Sequence, residues 1–261
     1  MKNYSEFGNG EKVLLAFHGF GQDGSAYEPL AKLKPDYKIY SFDLYFHGKS
    51  YWNEEKDFLK PKKLKKAFKQ FFQEEGIKNF ELIGFSMGCR SALALLKYFP
   101  KKINKITLIA PDGIKENFWY RFAIRNSYGQ KIFSSIIANP AWCIKVLDML
   151  KNLRIIPAGQ IQIAKWQLED KQLRDRIFYT WRLYRYFQFN FKKIGKQISK
   201  NKVEVEVILG DKDFIITEKH IQPLVSNIKN YKLSTIPSNH FFLIANYIKQ
   251  LPQVKSQVQV K

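Results

Sequence analysis

The stretch Phe80-Glu81-Leu82-Ile83-Gly84-Phe85-Ser86-Met87-Gly88 decides the fold of this chain. It joins an apolar run typical of a buried parallel strand to a mostly apolar segment, 86–99, that predicts a buried helix. Its last five residues match G-x-S-x-G, a motif that places a serine on a sharp turn between a strand and a helix. Glycine two residues to either side avoids a clash within so tight a turn. The motif predicts that Ser86 is a nucleophile at the end of a sheet strand.

Strand-like and helix-like patterns alternate on both sides of this turn. The other predicted strands are 13–17, 38–42, 105–110, 203–209 and 231–236. The other predicted helices are 62–75, 217–230 and one that begins near Phe241. Such alternation predicts an α/β fold with a mostly parallel central sheet flanked by helices.

The segment 112–202 interrupts this pattern. Aromatic and basic residues interleave in it, no strand pattern is visible, and 18 Lys and Arg against 6 Asp and Glu give it a net charge of +12. We expect several helices here, which form an inserted α-helical cap. The predicted organisation is a first part of the core at 1–111, the cap insertion at 112–202 and a second part of the core at 203–261.

Composition narrows the functional classes. Hydrophobic residues at 45% and charged residues at 26% are ordinary for a globular protein. The net charge of +21 favours encounter with nucleic acid, an anionic membrane surface or an acidic substrate, although we expect most lysines only to solvate the surface. No helix-turn-helix, zinc-finger or RNA-binding string is present, so no nucleic-acid partner is expected.

Several further expectations concern what the sequence does not contain. Two cysteines form no disulfide framework, and no cluster has metal-ligand spacing, so neither a metal nor a cofactor is expected. No secretory signal and no apolar run of about 18 residues is visible, so no membrane span is predicted and a cytoplasmic location is the default expectation. The sequence does not indicate the oligomeric state.

Two further segments bear on the role of Ser86. The segment His18-Gly19-Phe20-Gly21 follows the first predicted strand, and Asp43-Leu44-Tyr45-Phe46-His47-Gly48-Lys49-Ser50 follows the second. With the G-x-S-x-G motif they resemble the oxyanion loop and the D-x-x-G-H-G-x-S segment of the α/β-hydrolase superfamily, and the resemblance to a serine hydrolase with a helical cap covers nearly the whole chain. Phe46 stands where that superfamily usually has glycine, which predicts a different path for the loop.

The acid and the base follow the nucleophile in this superfamily, in the order Ser, acid, His. His240 lies in a polar loop after the last predicted strand, whereas His220 falls inside the predicted helix 217–230, where we expect a solvated surface role. Both Asp211 and Asp213 follow the preceding strand. The superfamily's G-x-x-D spacing selects Asp213, with Asp211 as the fallback.

The remaining candidates surround the nucleophile. Met87, at the start of a helix, would donate its backbone N–H to a developing oxyanion, and the resemblance implies that Phe20 N–H is the second donor. We expect His18 chiefly to brace the oxyanion loop. His18, Arg90 and Trp119 are the candidate substrate contacts.

The sequence therefore predicts a serine hydrolase that cleaves a small or medium carboxylic ester, or a related acyl compound, through an acyl-enzyme on Ser86. The partner expected is a small-molecule acyl substrate, which the basic cap would suit if it is anionic.

One alternative is a lyase, because Gly84-Phe85-Ser86-Met87-Gly88-Cys89-Arg90 resembles the G-x-S-M-G-G-R string of the SHCHC synthases of the menaquinone pathway, from which Cys89 departs. In those enzymes the same set of serine, carboxylate and histidine abstracts a proton and promotes elimination. An arginine at the place of Arg90 helps to bind an anionic substrate. A non-catalytic basic binding module on a hydrolase scaffold is the third reading.

Overall fold

The computed structural model describes residues 3–52, 58–116, 118–155 and 158–254. The strands among them are β1 Tyr4–Phe7, β2 Lys12–Phe17, β3 Tyr37–Phe42, β4 Phe80–Phe85, β5 Ile103–Ile109, β6 Glu204–Gly210 and β7 Lys232–Ile236. They form one sheet in the order β1-β3-β2-β4-β5-β6-β7, in which every neighbouring pair is parallel except β1 and β3. The mostly parallel central sheet predicted from the sequence is confirmed.

Helices connect these strands. The helices are α1 Glu28–Leu33, α2 Pro61–Glu74, α3 Gly88–Tyr98, α4 Phe118–Arg125, α5 Ser127–Ala138, α6 Ala141–Asn152, α7 Ala158–Glu169, α8 Lys171–Leu183, α9 Phe191–Asn201, α10 Glu218–Val225 and α11 Leu243–Val254. Among the described helices, no single one is long and apolar enough to span a membrane, whereas α5 and α6 reach the required length and composition together but are bent by 101° at their junction.

The core lies on both faces of the central strands. The carboxyl-terminal halves of β2, β4 and β5 are buried, and almost every residue of α3 is buried against them. Strands covered on both faces need continuous apolar runs, which is why they were recognisable in the sequence. Helix α2 covers the sheet with Leu64, Phe68 and Phe72, which repeat every fourth residue on one face.

The antiparallel edge strand β1 is the main element that the sequence analysis missed. Its four residues lack a continuous apolar run, because an edge strand is covered on only part of its surface. Tyr4 holds it in place: its ring lies 5.3–5.5 Å from the rings of Tyr40, Phe42 and Phe71. The short helix α1 was also missed.

The chain divides into two compact units. Among the described residues, unit 1 comprises 3–52, 59–115 and 187–254, and unit 2 comprises 58 and 116–186. Unit 1 contains the whole sheet, and unit 2 contains α4 to α8. The predicted insertion 112–202 extends further than unit 2, since α9 groups with unit 1, where Gly195 lies directly against the backbone of Asn227. That the insertion acts as a cap stays a prediction.

Candidate functional site

The turn that carries Ser86 is held in a strained conformation. Ser86 has φ of 47°, a left-handed angle that a residue with a side chain adopts rarely, and so helix α3 begins only at Gly88. The Ser86 N–H donates to Ile109 O at 2.8 Å, and the Ser86 carbonyl accepts from the N–H groups of Cys89 at 3.0 Å and Asp112 at 3.2 Å. Contacts from β5, from α3 and from the loop that follows β5 thus fix this turn at the carboxyl edge of the sheet.

The two glycines of the motif are required by close backbone approach. A Cβ on Gly84 would lie 2.9 Å from the Cα of Cys89, and a Cβ on Gly88 would lie 2.1 Å from Phe17 O. The second contact means that the start of α3 rests on the end of β2. The G-x-S-x-G spacing therefore reports how tightly the helix packs against the sheet.

His240 lies within hydrogen-bond distance of both Ser86 and Asp213. His240 Nε2 is 2.9 Å from Ser86 Oγ, and His240 Nδ1 is 2.7 Å from Asp213 Oδ2. A carboxylate beside Nδ1 favours the tautomer protonated there, which leaves Nε2 to accept the serine hydroxyl proton. The Asp213 side chain has no solvent exposure, and its Oδ1 accepts from the N–H groups of Ile215 and Ile216 at 2.8 and 2.9 Å. This network fixes both the carboxylate and the imidazole ring.

The fallback candidate, Asp211, is bonded elsewhere. Its Oδ1 accepts the N–H of Ser238 at 2.9 Å. The Ser238 hydroxyl donates to Asn239 O and accepts from the side-chain amide of Asn246. Asp211 thus holds the loop that leads to His240, and Asp213 pairs with the imidazole ring.

The two backbone N–H groups predicted to form the oxyanion hole belong to different parts of the chain. Phe20 follows β2, and Met87 immediately precedes α3, at the end of the helix that carries partial positive charge. Within the described part of the chain, neither N–H group donates to a protein acceptor. Both are therefore available to a ligand, as an oxyanion hole requires.

His18 is fully buried and both of its ring nitrogens are engaged by backbone groups. Its Nδ1 lies 2.7 Å from Gly19 O, and its Nε2 accepts the N–H of Leu44 at 3.0 Å. Burial lowers the pKa of this imidazole, which keeps it neutral. With no ring nitrogen left for a substrate, the geometry corresponds to a brace between the loops after β2 and β3, and not to the substrate contact that the sequence also suggested.

Arg90, the second candidate substrate contact, is buried and forms an ion pair with Asp112, whose side chain is 35% exposed. Its Nε donates to Asp112 Oδ2 at 2.8 Å, and a terminal guanidinium nitrogen lies 3.3 Å from Oδ1. Burial opposes the charge of Asp112, yet the Arg90 guanidinium outweighs it and holds the pKa of that carboxyl below its usual range. Asp112 thus holds the Arg90 side chain in place, and a contact between Arg90 and a substrate anion stays a prediction. Sequence reasoning missed Asp112, although its place directly after β5 puts it at the same sheet edge as the other site residues.

Three other residues singled out in the sequence lie away from Ser86 in the chain: Trp119, His220 and Phe46. Trp119 lies in α4, and its side chain is outside the described part of the structure. His220 does not point freely into solvent: its Nδ1 accepts the N–H of Thr217 at 3.1 Å and closes the start of α10. Phe46 has φ of 66°, so the loop keeps a glycine-like conformation where the sequence predicted another path.

The loop that contains Phe46 is organised by Asp43. This carboxylate accepts the N–H of Gly24 and the N–H of Lys49, each at 2.8 Å. A Cβ on Gly48 would lie 2.3 Å from the same carboxylate, which explains the glycine there. Among the described residues, no group of three or more His, Cys, Asp or Glu side chains is arranged to hold a metal ion.

Comparison with known proteins supports one fold. Residues 12–131 match the family model for the alpha/beta hydrolase fold. An esterase from Thermogutta terrifontis aligns over 97% of this chain and 90% of its own, with a TM-score of 0.64 and 14% identity. A structure from work on carboxylesterases of Nitrososphaera gargenis aligns over 97% and 92%, with a TM-score of 0.61 and 13% identity. The thioesterase domain of the curacin biosynthetic pathway aligns over 96% and 93%, with a TM-score of 0.60 and 18% identity. No curated protein sequence matches the chain.

Proposed function

The chain is an α/β-hydrolase-fold protein, as the sequence resemblance predicted, and on that premise we propose that it is a serine hydrolase. Its substrate would be a small or medium carboxylic ester or a related acyl compound. The observation that carries the proposal is the unbroken pair of hydrogen bonds from Ser86 through His240 to Asp213. This arrangement gives a weakly acidic hydroxyl both a base and a fixed path for its proton.

The proposed reaction proceeds in two halves. Ser86 Oγ attacks the acyl carbon while His240 Nε2 takes the hydroxyl proton, and the resulting oxyanion accepts hydrogen bonds from Phe20 and Met87 N–H. His240 then gives the proton to the leaving alcohol oxygen, and an acyl-enzyme on Ser86 remains. Water attacks that ester, His240 takes the water proton, and its return to Ser86 Oγ releases the carboxylic acid.

Asp213 has a supporting role in this scheme. It holds the Nδ1 proton of His240 and stabilises the imidazolium that forms in each half-reaction. The N–H groups of Ile215 and Ile216 anchor its other oxygen. The carboxylate therefore does not have to reorient as charge develops on His240, which is how a preorganised site lowers the barrier.

The proposed ester substrate is suggested by analogy with proteins of similar structure. The proteins of similar structure include an esterase, a thioesterase domain and an N-acyl homoserine lactone degrading enzyme. One fold can host many reactions, so acyl transfer is proposed from the site and not from the fold.

The two alternatives have less support. The lyase reading needs Arg90 to meet an anionic substrate, but this arginine is buried and paired with Asp112. A purely binding protein would need no serine–imidazole–carboxylate arrangement. No observation in the site favours either alternative over acyl transfer.

The test is active-site labelling with a fluorophosphonate, together with turnover of p-nitrophenyl esters of increasing acyl length. We expect Ser86→Ala to abolish labelling and to lower kcat/KM by about 10⁴-fold or more, because the nucleophile is lost. Ser135→Ala, on an exposed serine of α5, is the matched control and should label like the wild type. Undiminished labelling of the Ser86→Ala protein would show that another residue is the nucleophile.

A further inference from the structure

Helix α6 presents an exposed apolar stripe. Trp142, Val146 and Met149 lie on it, and Leu153 follows at its end; their side chains are 40–60% exposed. Their spacing of four, three and four residues places them within an arc of about 60° on the helix surface. None of the residues of α6 is buried, so this stripe does not form part of a core.

The neighbouring helix extends this surface. Ile132 of α5 and Ile155, beyond the end of α6, are also exposed. Helices α5 and α6 together have the apolar composition of a membrane span, but a bend of 101° separates them. Such a bent pair cannot cross a bilayer as one straight helix, whereas each helix can lie in the interface with its apolar face toward the acyl chains.

The same segment carries a net positive charge. The segment 127–155 contains four basic residues, all exposed: Lys131, Lys145, Lys151 and Arg154. Its one acidic residue, Asp148, pairs with Lys165 of α7 at 3.0 Å. An apolar stripe in a segment with four exposed cations matches the interface of a bilayer that contains anionic lipids, where headgroups bind the cations and acyl chains bury the stripe.

We propose that the segment 127–155 is a peripheral docking surface for an anionic lipid bilayer. A second copy of the chain fits this surface less well, because it would bring the same cations against one another and the whole chain carries +21. The proposal does not depend on the chemistry of Ser86. Docking would hold the protein at an interface where lipid-like acyl compounds are concentrated.

The experiment is co-sedimentation with vesicles at about 0.1 M salt, where surface charge is only partly screened. Vesicles of equimolar phosphatidylglycerol and phosphatidylcholine are compared with vesicles of phosphatidylcholine alone. The wild type is expected to bind the anionic vesicles at least about tenfold more strongly. The variant Trp142→Ser/Met149→Ser is expected to lose about tenfold or more of that binding, because its apolar insertion is reduced.

Two further variants separate apolar docking from general charge. Lys131→Gln/Lys145→Gln should weaken binding by about fivefold per cation removed. Leu33→Ser/Tyr51→Ser removes two exposed apolar side chains from unit 1 and should leave binding within about twofold of the wild type. Because both residues changed on α6 are exposed, the Trp142→Ser/Met149→Ser protein should keep its circular dichroism spectrum and its melting temperature.

Three outcomes would overturn the proposal. The first is the absence of binding to anionic vesicles, and the second is equal binding by the wild type and the α6 variant. The third is a wild-type dimer, seen by sedimentation velocity, that the α6 variant dissociates, because the occupant would then be a second copy. Repeating the assay with Ser86→Ala keeps the result independent of catalysis: binding should be unchanged whether or not this serine is the nucleophile.

Discussion

The carboxyl edge of the sheet in unit 1 and the α5–α6 segment in unit 2 use their side chains in opposite ways. At the sheet edge, the polar groups of His18, Asp213 and His240 each contact a named partner and are almost inaccessible to solvent. On α6, no residue is buried and large apolar side chains face outward. The first region holds its polar side chains in fixed positions, and the second leaves its apolar side chains exposed. Substitutions in the first should therefore affect folding or turnover, and substitutions in the second should affect what the protein contacts.

Aromatic residues show the same contrast within unit 2. Trp181 packs with Tyr120 and Phe133 at ring-centroid distances of 5.1 and 5.5 Å, and so belongs to the small core of this unit. Trp142 and Trp166 are 43% and 55% exposed. A tryptophan in a helical segment can belong either to a core or to an exposed surface. The different surroundings of these tryptophans show that residue type alone did not decide between those roles.

The largest expected effect tests which of the two aspartates at the sheet edge, Asp213 or Asp211, is the acid that supports His240. Asp213→Asn should lower kcat/KM for an active ester by about 10³–10⁴-fold, because the amide no longer holds the Nδ1 proton of His240 or stabilises the imidazolium. Asp211→Asn is the matched control two residues away. It keeps an oxygen that can accept the Ser238 N–H and should cost about tenfold at most.

Equal losses in these two variants would contradict the assignment of Asp213 as the acid. A loss only in Asp211→Asn would reverse it. Steady-state kinetics with the same p-nitrophenyl ester, together with fluorophosphonate labelling rates, distinguishes these results.

The next effect compares backbone packing in the two units. Gly88→Ala should destabilise the protein by at least about 3 kcal/mol, because its Cβ would overlap the Phe17 carbonyl and force α3 away from β2. Gly159→Ala, on α7 of unit 2, meets no atom within 4 Å and should be neutral or stabilise by up to about 1 kcal/mol. Denaturant unfolding measures both variants, and a neutral Gly88→Ala would refute the close contact between α3 and β2.

A smaller effect concerns pH and His18. Burial lowers the pKa of His18 in the folded state, so below about pH 6.5 the unfolded chain takes up this proton first. The free energy of unfolding should therefore fall as the pH drops from about 6.5 toward the folded-state pKa, by at most about 1.4 kcal/mol per pH unit. Above about pH 6.5 this group contributes no slope.

The variant His18→Gln isolates that contribution. It removes the titrating ring and should flatten the slope, although lost contacts with Gly19 and Leu44 will lower stability at pH 7. Guanidinium unfolding at several pH values gives both quantities. A slope identical to that of the wild type would show that His18 is not the group responsible.

Much of unit 1 was predictable because its signals are local. Continuous apolar runs mark strands that are buried on both faces, and a periodic apolar face marks α2. The strand β1 escaped because four residues at a sheet edge carry too little pattern. The unit boundary near 116 and 186 also differed from the predicted insertion, because α9 follows directly from the basic segment yet packs with unit 1.

The sequence by itself determined the alternation of strands and helices, the strand-to-helix turn at Ser86 and the chain order of the serine, the carboxylates and the histidine. The alternation and the turn follow from residue periodicity and from the conformational freedom of glycine, which act over a few neighbours. The chain order was expected from the resemblance to the α/β-hydrolase superfamily. Tertiary structure decided which aspartate meets His240, that Arg90 meets Asp112, and that both nitrogens of His18 are occupied. Such pairings join residues from separate loops, and only the three-dimensional path of the chain fixes the distance between them.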